Sequence, residues 1–169
     1  ASTPNRMLWV TGQIGMTGAA GTKNIYDVCE IMPVQDKVEQ GDLVALAPDK
    51  QRELVRSSKP YDPLVAGVIS GQGETSRSRA MFLIGDKDQA TAATGKKHEY
   101  VTIAGQVELN VCSENGSIEP GDLLVASSTP GYAMKGTDPA RMFGAVVAKA
   151  MERFDIKGEK GKIIAIISR

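Results

Sequence analysis

The residues best suited to nucleophilic or metal chemistry are few: two cysteines, Cys29 and Cys112, and one histidine, His98. A structural zinc ion takes four ligands, and a single histidine with two distant cysteines supplies too few. A Ser–His–Asp triad needs a histidine held against a serine, yet no serine lies in a G-x-S-x-G pattern. We therefore predict no metal site and no hydrolase, and we expect His98 to lie in a solvated loop.

The two cysteines each follow a valine upstream of a Gly-Asp pair, so they occupy roughly equivalent places in the chain. We interpret them as small, buried, apolar side chains. A disulfide that joins them, and a reactive or metal-binding pair, are the alternatives. The phosphate-binding patterns G-x-x-x-x-G-K-[ST] and G-x-G-x-x-G are absent from the sequence. We therefore expect no cofactor and predict that the protein is not an enzyme.

Binding to a charged ligand is a separate question. Arg77 and Arg79 lie in a polar, glycine-bearing segment, and guanidinium groups bind carboxylates and phosphates. With the polar stretch 86–99, they are the candidate contacts for a host-surface glycan or partner protein; the alternative is solvated loop charge. Lys plus Arg equals Asp plus Glu at 20 each, and no apolar run approaches the ~20 residues that span a bilayer. We expect neither nucleic-acid binding nor membrane insertion.

The chain contains an internal repeat. Residues 38–45 (VEQGDLVA) return with conservative changes as residues 118–125 (IEPGDLLV), and the Asp-Pro phrase at 62–69 returns at 138–147. The offset is 80 residues at Gly-Asp and 76 at Asp-Pro, so one duplicated unit carries a small length change. Such self-similarity indicates a repeated supersecondary unit.

Both repeated phrases are typical of a turn followed by a strand. Glycine supplies the positive φ of a tight turn, and an aspartate there accepts hydrogen bonds from backbone N–H groups two or three residues further on. We therefore interpret the repeated residues as structural turn residues without catalytic roles: Gly41, Asp42, Asp62, Pro63, Gly67, Gly121, Asp122, Asp138, Pro139 and Gly144.

The rest of the sequence predicts an all-β fold. Short apolar runs separated by Gly and Pro turns predict strands, with 100–111 as one long strand or two strands broken at Gly105. Helical turns are predicted only near 86–93 and 139–143. The pattern favours a β-clip-like or partly open barrel built from the duplicated turn–strand unit.

Two regions are expected along the chain. Residues 1–25, with glycine at 12, 15, 18 and 21, form a glycine-rich arm or stalk remnant. Residues 26–169 form a single β domain whose copies cover about 26–84 and 100–169. We expect Ala1 to be a processed or engineered end, and the chain to be the last part of a longer protein.

Three sequence stretches carry a family resemblance: DVCEIMPV at 27–34, SSKPYDPLVAGVIS at 57–70 and AGQVELNVCSENGSIEPGDLLVASSTPGYAMK at 104–135. With these, the chain resembles the C-terminal β-domains of phage tail-fibre and neck-appendage proteins and of similar stalked bacterial surface proteins. The resemblance covers about residues 26–169.

The resemblance implies a non-enzymatic structural domain that caps a trimeric fibre or surface appendage on a virion or cell surface. It implies two alternatives: a receptor module at a fibre tip that binds a glycan or protein, and a self-cleaving assembly chaperone. No residue of this sequence matches a scissile site of that chaperone type.

Overall fold

The computed structural model describes residues 26–167, except 36, 72–76, 78, 85 and 157, and describes residue 26 and strand 79–84 by their backbone. The predicted glycine-rich arm, 1–25, lies outside the described residues. The ten strands are β1 (Tyr26–Pro33), β2 (Leu43–Leu46), β3 (Leu54–Arg56), β4 (Val65–Ile69), β5 (Arg79–Ile84), β6 (His98–Cys112), β7 (Leu123–Ala126), β8 (Ala133–Lys135), β9 (Val146–Ala150) and β10 (Lys160–Ile167). The two helices are α1 (Lys87–Thr94) and α2 (Pro139–Met142).

The fold is mostly β and contains a closed five-stranded barrel with outer strands, which confirms the predicted fold class. The closed ring runs β6–β8–β7–β9–β10 and returns to β6, because residues 106–112 of β6 pair with β10 while Val111 pairs with β8. Its core includes fully buried side chains from four of the five strands, Leu109, Leu124, Val147 and Ile163, and Ile118 from the segment before β7. Burial of this apolar surface is the main stabilising contribution.

The outer strands form a second ring. Strand β1 pairs with residues 98–105 of β6, β6 pairs with β4, β4 with β2, and β2 with β3. A parallel bridge between Val34 and Leu54 joins β3 to the end of β1. We call the two assemblies ring 1 (β1, β3, β2, β4 and residues 98–105) and ring 2 (residues 106–112, β8, β7, β9 and β10). Ring 1 has its own buried cluster, which includes Val44, Leu54, Ile69 and Val101.

Strand β6 is therefore shared by both rings. It is one strand of 15 residues, with Gly105 at φ +95° where the first ring passes into the second. Of the two predicted alternatives, the single long strand is the one observed.

The two rings repeat the same strand pairing. Leu43, Val44 and Ala45 of β2 face β4 with a bulge between the second and third residues, and β7 faces β9 with its bulge at the equivalent place. The strand offset is 80 residues from β2 to β7 but 81 from β4 to β9, as Val65 corresponds to Val146. Since the Asp-Pro offset is 76, ring 2 carries five extra residues before β9.

The turn before β2 and the turn before β7 are also equivalent. Gly41 has φ +86° and Gly121 has φ +96°, at the third position of a turn, where a residue with a side chain is disfavoured. Each turn closes with a backbone hydrogen bond of 3.0 Å, from Asp42 N–H to Glu39 O and from Asp122 N–H to Glu119 O.

Two predicted turn glycines differ from this arrangement. Gly67 lies inside β4 rather than in a turn, and a Cβ there would sit 2.6 Å from Cγ1 of Val101, so close strand packing requires the glycine. Gly144 lies in a turn at φ +75° but has no structural counterpart in Gly67, because it falls within the five extra residues.

The insertion between β4 and β6 contains β5, which runs parallel to β1, and α1. Helix α1 begins after Asp86, whose side chain accepts from the N–H groups of Asp88 and Gln89, and ends at Gly95 in the left-handed conformation. His98 is the first residue of β6, contrary to the expected loop, since it pairs with Pro33 of β1. Within the described part of the chain, no helix is long and apolar enough to cross a membrane.

Candidate interaction surface

Ring 2 packs against the turn that begins β2 in ring 1. Asn110 donates from its backbone to Gly41 O (3.0 Å) and from its side chain to Asp42 Oδ1 (2.9 Å). Gly131 donates to Ser57 O (2.7 Å) and accepts from Leu43 N–H (2.9 Å). The approach is close enough that a Cβ on Gly131 would lie 2.5 Å from Asp42 Oδ1. The two rings therefore meet through ordered polar contacts as well as through β6.

The equivalent aspartates Asp42 and Asp122 have different environments. Asp42 is 4% exposed, and burial raises its pKa despite hydrogen bonds from Glu39 and Asn110. Asp122 is partly exposed; burial raises its pKa, but the hydrogen bond and charge of Lys135, 2.8 Å away, together with the hydrogen bond from Glu119 N–H, lower it by more, so its pKa falls. Ring 2 thus covers the turn of ring 1, while the equivalent turn of ring 2 is more exposed and its aspartate pairs with Lys135 of the same ring.

The predicted turn aspartates act in two ways. Asp62 Oδ1 accepts from Leu64 N–H (3.0 Å) and Asp138 Oδ1 from Ala140 N–H (3.1 Å), two residues on. Asp42 and Asp122 instead accept from the N–H three residues before them, at 2.9 and 2.8 Å. Pro63 is exposed in its corner, and Pro139 opens α2, where a missing N–H costs no helical hydrogen bond.

Tyr61 of ring 1 makes several contacts with ring 2. It has φ +56°, is 7% exposed, and its Oη accepts from Thr137 N–H (3.0 Å) and Asn115 Nδ2 (3.0 Å). The guanidinium of Arg141 lies 4.3 Å from its ring centroid, a cation–π contact, and also donates to Pro60 O. A strained backbone held by this many contacts indicates a position fixed by tertiary packing.

A cleft of about 290 Å³ opens on ring 1, between β2, β3 and the corner that precedes β4. Its apolar lining includes Ala45, Leu46, Val55 and Leu64; its polar lining includes Arg56, Ser57, Ser58, Lys59 and Asp62. Leu46 is 49% exposed and Leu64 is 40% exposed at the cleft. We call this the ring 1 cleft.

The most exposed large hydrophobic residue in the described part of the chain is Phe143, at 95%. It follows α2 and stands within the five extra residues of ring 2. An aromatic side chain left in water forgoes a large apolar contribution to stability.

The guanidinium of Arg77, one of the two candidate ligand contacts, forms ion pairs within the chain. Arg77 Nε donates to Glu108 Oε1 (3.0 Å), and its two terminal nitrogens donate to the carboxylate of Glu152 (2.9 and 2.7 Å). This bidentate pairing holds residue 77 against ring 2. Arg79 lies in β5, with its side chain outside the described residues. Residues 86–99 contain α1 and the start of β6 rather than an open loop.

Both cysteines are free and buried, so the structure contains no disulfide between them. They do not occupy equivalent places in the two rings. Val34, which pairs with Leu54, corresponds to Val111, which pairs with Ala133. Cys29 lies five residues before Val34, whereas Cys112 lies one residue after Val111. Burial raises the pKa of the Cys29 thiol to about 12. The thiol is therefore protonated and unreactive at neutral pH.

Cys29 belongs to a buried polar group. Its Sγ lies 3.5 Å from Asp27 Oδ2 and 3.7 Å from Thr102 Oγ1, and the Thr102 hydroxyl donates to Asp27. His98 lies apart, its Nδ1 2.7 Å from Lys96 O. Among the described residues, no group of three or more His, Cys, Asp or Glu side chains is placed to hold a metal ion.

Sequence reasoning missed Tyr61 and Phe143. The signal for Phe143 was the greater length of the second Asp-Pro phrase, residues 138–147 against 62–69, which marks an insertion in ring 2. Tyr61 precedes the repeated Asp-Pro phrase, but its partners lie 54 and 76 residues away, and nothing local indicates them.

No family model and no curated protein sequence matches the chain. Among solved structures, the fold is similar to that of the pre-mature bacteriophage phi29 gene product 12, with a TM-score of 0.55 and 16% identity over 94% of this chain and 23% of that one. This chain therefore spans about a quarter of the protein it matches. The head fibre gp8.5 N base of bacteriophage phi29 gives a TM-score of 0.44 and 15% identity over 83% of this chain and 93% of that one. The first likeness shows a common fold, and the second carries no argument.

Proposed function

We propose that this chain is a structural domain of a phage virion appendage, which associates as a homotrimer and caps a fibre. The observation that carries the proposal is the fold shared with phi29 gene product 12, across 94% of the chain. The role is non-enzymatic: the cysteine thiols are buried, and Arg77 is occupied by two glutamates.

The exposed apolar side chains support association. Phe143, Leu46 and Leu64 are between 40% and 95% exposed. Leu46 and Leu64 lie beside each other at the ring 1 cleft, and contiguous exposed apolar surface is typical of contacts with another protein. The duplicated rings are also compact and rigidly joined, which suits a scaffold more than a mobile catalytic site.

The test is the solution mass, measured by light scattering after gel filtration over a range of protein concentrations. A mass near three times 18.0 kDa supports the proposal. A mass of 18.0 kDa at every concentration contradicts it. Immunogold electron microscopy with an antibody against this domain tests the proposed location on a virion appendage. Label at an appendage of phage particles is the expected result.

A further inference from the structure

The ring 1 cleft has a counterpart in ring 2. Three of the apolar residues that line the cleft correspond, at offsets of 79 to 81 residues, to three residues of ring 2. Ala45 corresponds to Val125, Val55 to Met134, and Leu64 to Ala145. Because the strand pairing is the same, the two surfaces have the same shape of backbone beneath them.

The counterpart in ring 2 is filled by an aromatic side chain. Val125, Met134 and Ala145 form one buried cluster with Tyr61, which comes from the other ring, and Met142 packs against it. The tyrosine hydroxyl is bound there by Thr137, through its N–H and its side-chain oxygen. This surface of the repeated unit therefore accommodates an aromatic ring delivered from outside its own ring of strands.

The ring 1 cleft keeps the features of such a site but is open. About 290 Å³ of space exceeds the ~150 Å³ that suffices for an apolar cavity to take up benzene. Ser58 occupies the position that corresponds to Thr137, and the neighbouring Ser57 is 2% exposed with no hydrogen-bond partner for its hydroxyl among the described residues.

Phe143 is the aromatic side chain that can fill the cleft. At 95% exposure it does not enter the cleft of its own chain. It also lies on the five-residue insertion that ring 1 lacks, so the described part of each chain carries both this exposed ring and the open cleft.

We propose that Phe143 of one copy of the chain inserts into the ring 1 cleft of a second copy. The contact repeats between copies the arrangement by which Tyr61 fills ring 2 within one chain. This inference rests on the proposed self-association and identifies its central contact. Arg56 and Lys59 at the cleft border are placed to contact the face of the inserted ring.

The test compares the solution mass and dissociation constant of the full chain and its variants by sedimentation equilibrium. Phe143→Ala removes the inserted ring, and Leu64→Glu places a charge in the cleft at a position already 40% exposed. Each is expected to weaken association at least about thirtyfold, as truncation of a central aromatic contact does. Ile156→Ala, at another exposed position, is the matched control and leaves the mass unchanged.

Mixing distinguishes a lost contact from a misfolded variant. Phe143→Ala keeps an intact cleft and Leu64→Glu keeps an intact ring, so an equimolar mixture forms a heterodimer of about twice 18.0 kDa. Circular dichroism and thermal unfolding verify that both variants fold.

A gain of affinity gives a second, independent measurement. Phe143→Tyr adds a hydroxyl where Ser57 and Ser58 line the cleft, and one added hydrogen bond is expected to strengthen association about threefold to tenfold.

The outcomes separate the two proposals. An oligomeric wild type whose mass is unchanged in Phe143→Ala or in Leu64→Glu overturns this contact and leaves the proposed function standing. A wild type that is monomeric at every concentration overturns the self-association itself. A lower solution mass than wild type in both variants, together with a heterodimer in their mixture, supports the contact.

Discussion

The replacement of two equivalent glycines by alanine tests the junction of the two rings. Gly41 and Gly121 occupy the same turn position at φ +86° and +96°. A Cβ on Gly41 would meet Asn110, at 2.9 Å from Oδ1 and 3.3 Å from the backbone nitrogen, whereas a Cβ on Gly121 would meet nothing within 4 Å. Gly41→Ala and Gly121→Ala thus share the backbone strain and differ in the steric contact.

The magnitudes follow from these contacts. The positive φ costs about 1–2 kcal/mol in either variant, because the left-handed conformation crowds a Cβ. Gly41→Ala adds about 1–3 kcal/mol, the usual cost of extra volume in a packed site. Asn110 cannot move away easily: it is 6% exposed and is held by hydrogen bonds to Gly41 O and to Asp42 Oδ1.

The assay is the free energy of unfolding from urea titrations followed by circular dichroism, with equal protein concentrations. Gly41→Ala should lose about 1–3 kcal/mol more than Gly121→Ala, or roughly 3–9 °C more in Tm for a chain of this size. Losses that agree within about 0.5 kcal/mol, the usual limit for distinguishing such differences, would refute the close approach of Asn110 to the turn.

Three further predictions concern single side chains. Tyr61→Phe should cost about 0.5–1.5 kcal/mol of stability for each hydrogen bond lost, because Thr137 N–H and Asn115 Nδ2 lose their acceptor. Tyr132→Phe serves as the control in the same urea titration. A thiol reagent at pH 8 should not modify Cys29 in the folded protein and should modify it after denaturation; rapid modification of the native thiol contradicts its pKa of about 12. Burial raises the pKa of Glu152, but hydrogen bonds from Arg77 and from the backbone N–H of Ile164 lower it by a larger amount, so its pKa lies below the ordinary value. Ionised Glu152 therefore stabilises the fold at pH values above its unfolded pKa of about 4.3, and this contribution is lost as the pH falls. The difference in unfolding free energy between wild type and Arg77→Met should shrink below about pH 4.3. A difference that stays constant with pH would contradict the ion pair.

Local signals predicted much of the fold. The repeated Gly-Asp phrase indicated equivalent turns because a tight turn depends on a glycine and on a side chain within three residues of it. Helices near 86–93 and 139–143 were predicted, and both occur, each preceded by an aspartate that caps it.

Long-range contacts were not predictable from one sequence. Gly67 was interpreted as a turn residue because it is a glycine beside a repeated phrase, but its role is to let β4 approach β6. Arg77 was interpreted as a candidate ligand contact or as solvated loop charge, because its partners Glu108 and Glu152 lie 31 and 75 residues away. The ring 1 cleft is open because Tyr61 fills the equivalent surface of ring 2 and no described side chain fills that of ring 1. The periodicity of the sequence does not indicate which of the two surfaces is filled.

The sharing of β6 has a mechanical consequence. Tandem modules joined by a linker bend at the linker and unfold one after another. Here the same 15-residue strand supplies a wall of both rings, with no linker between them. Tension applied to one ring passes to the other through the covalent backbone, and the loss of either ring strips β6 of half its partners. The two rings should therefore resist bending relative to each other, and under force they should unfold together as one unit.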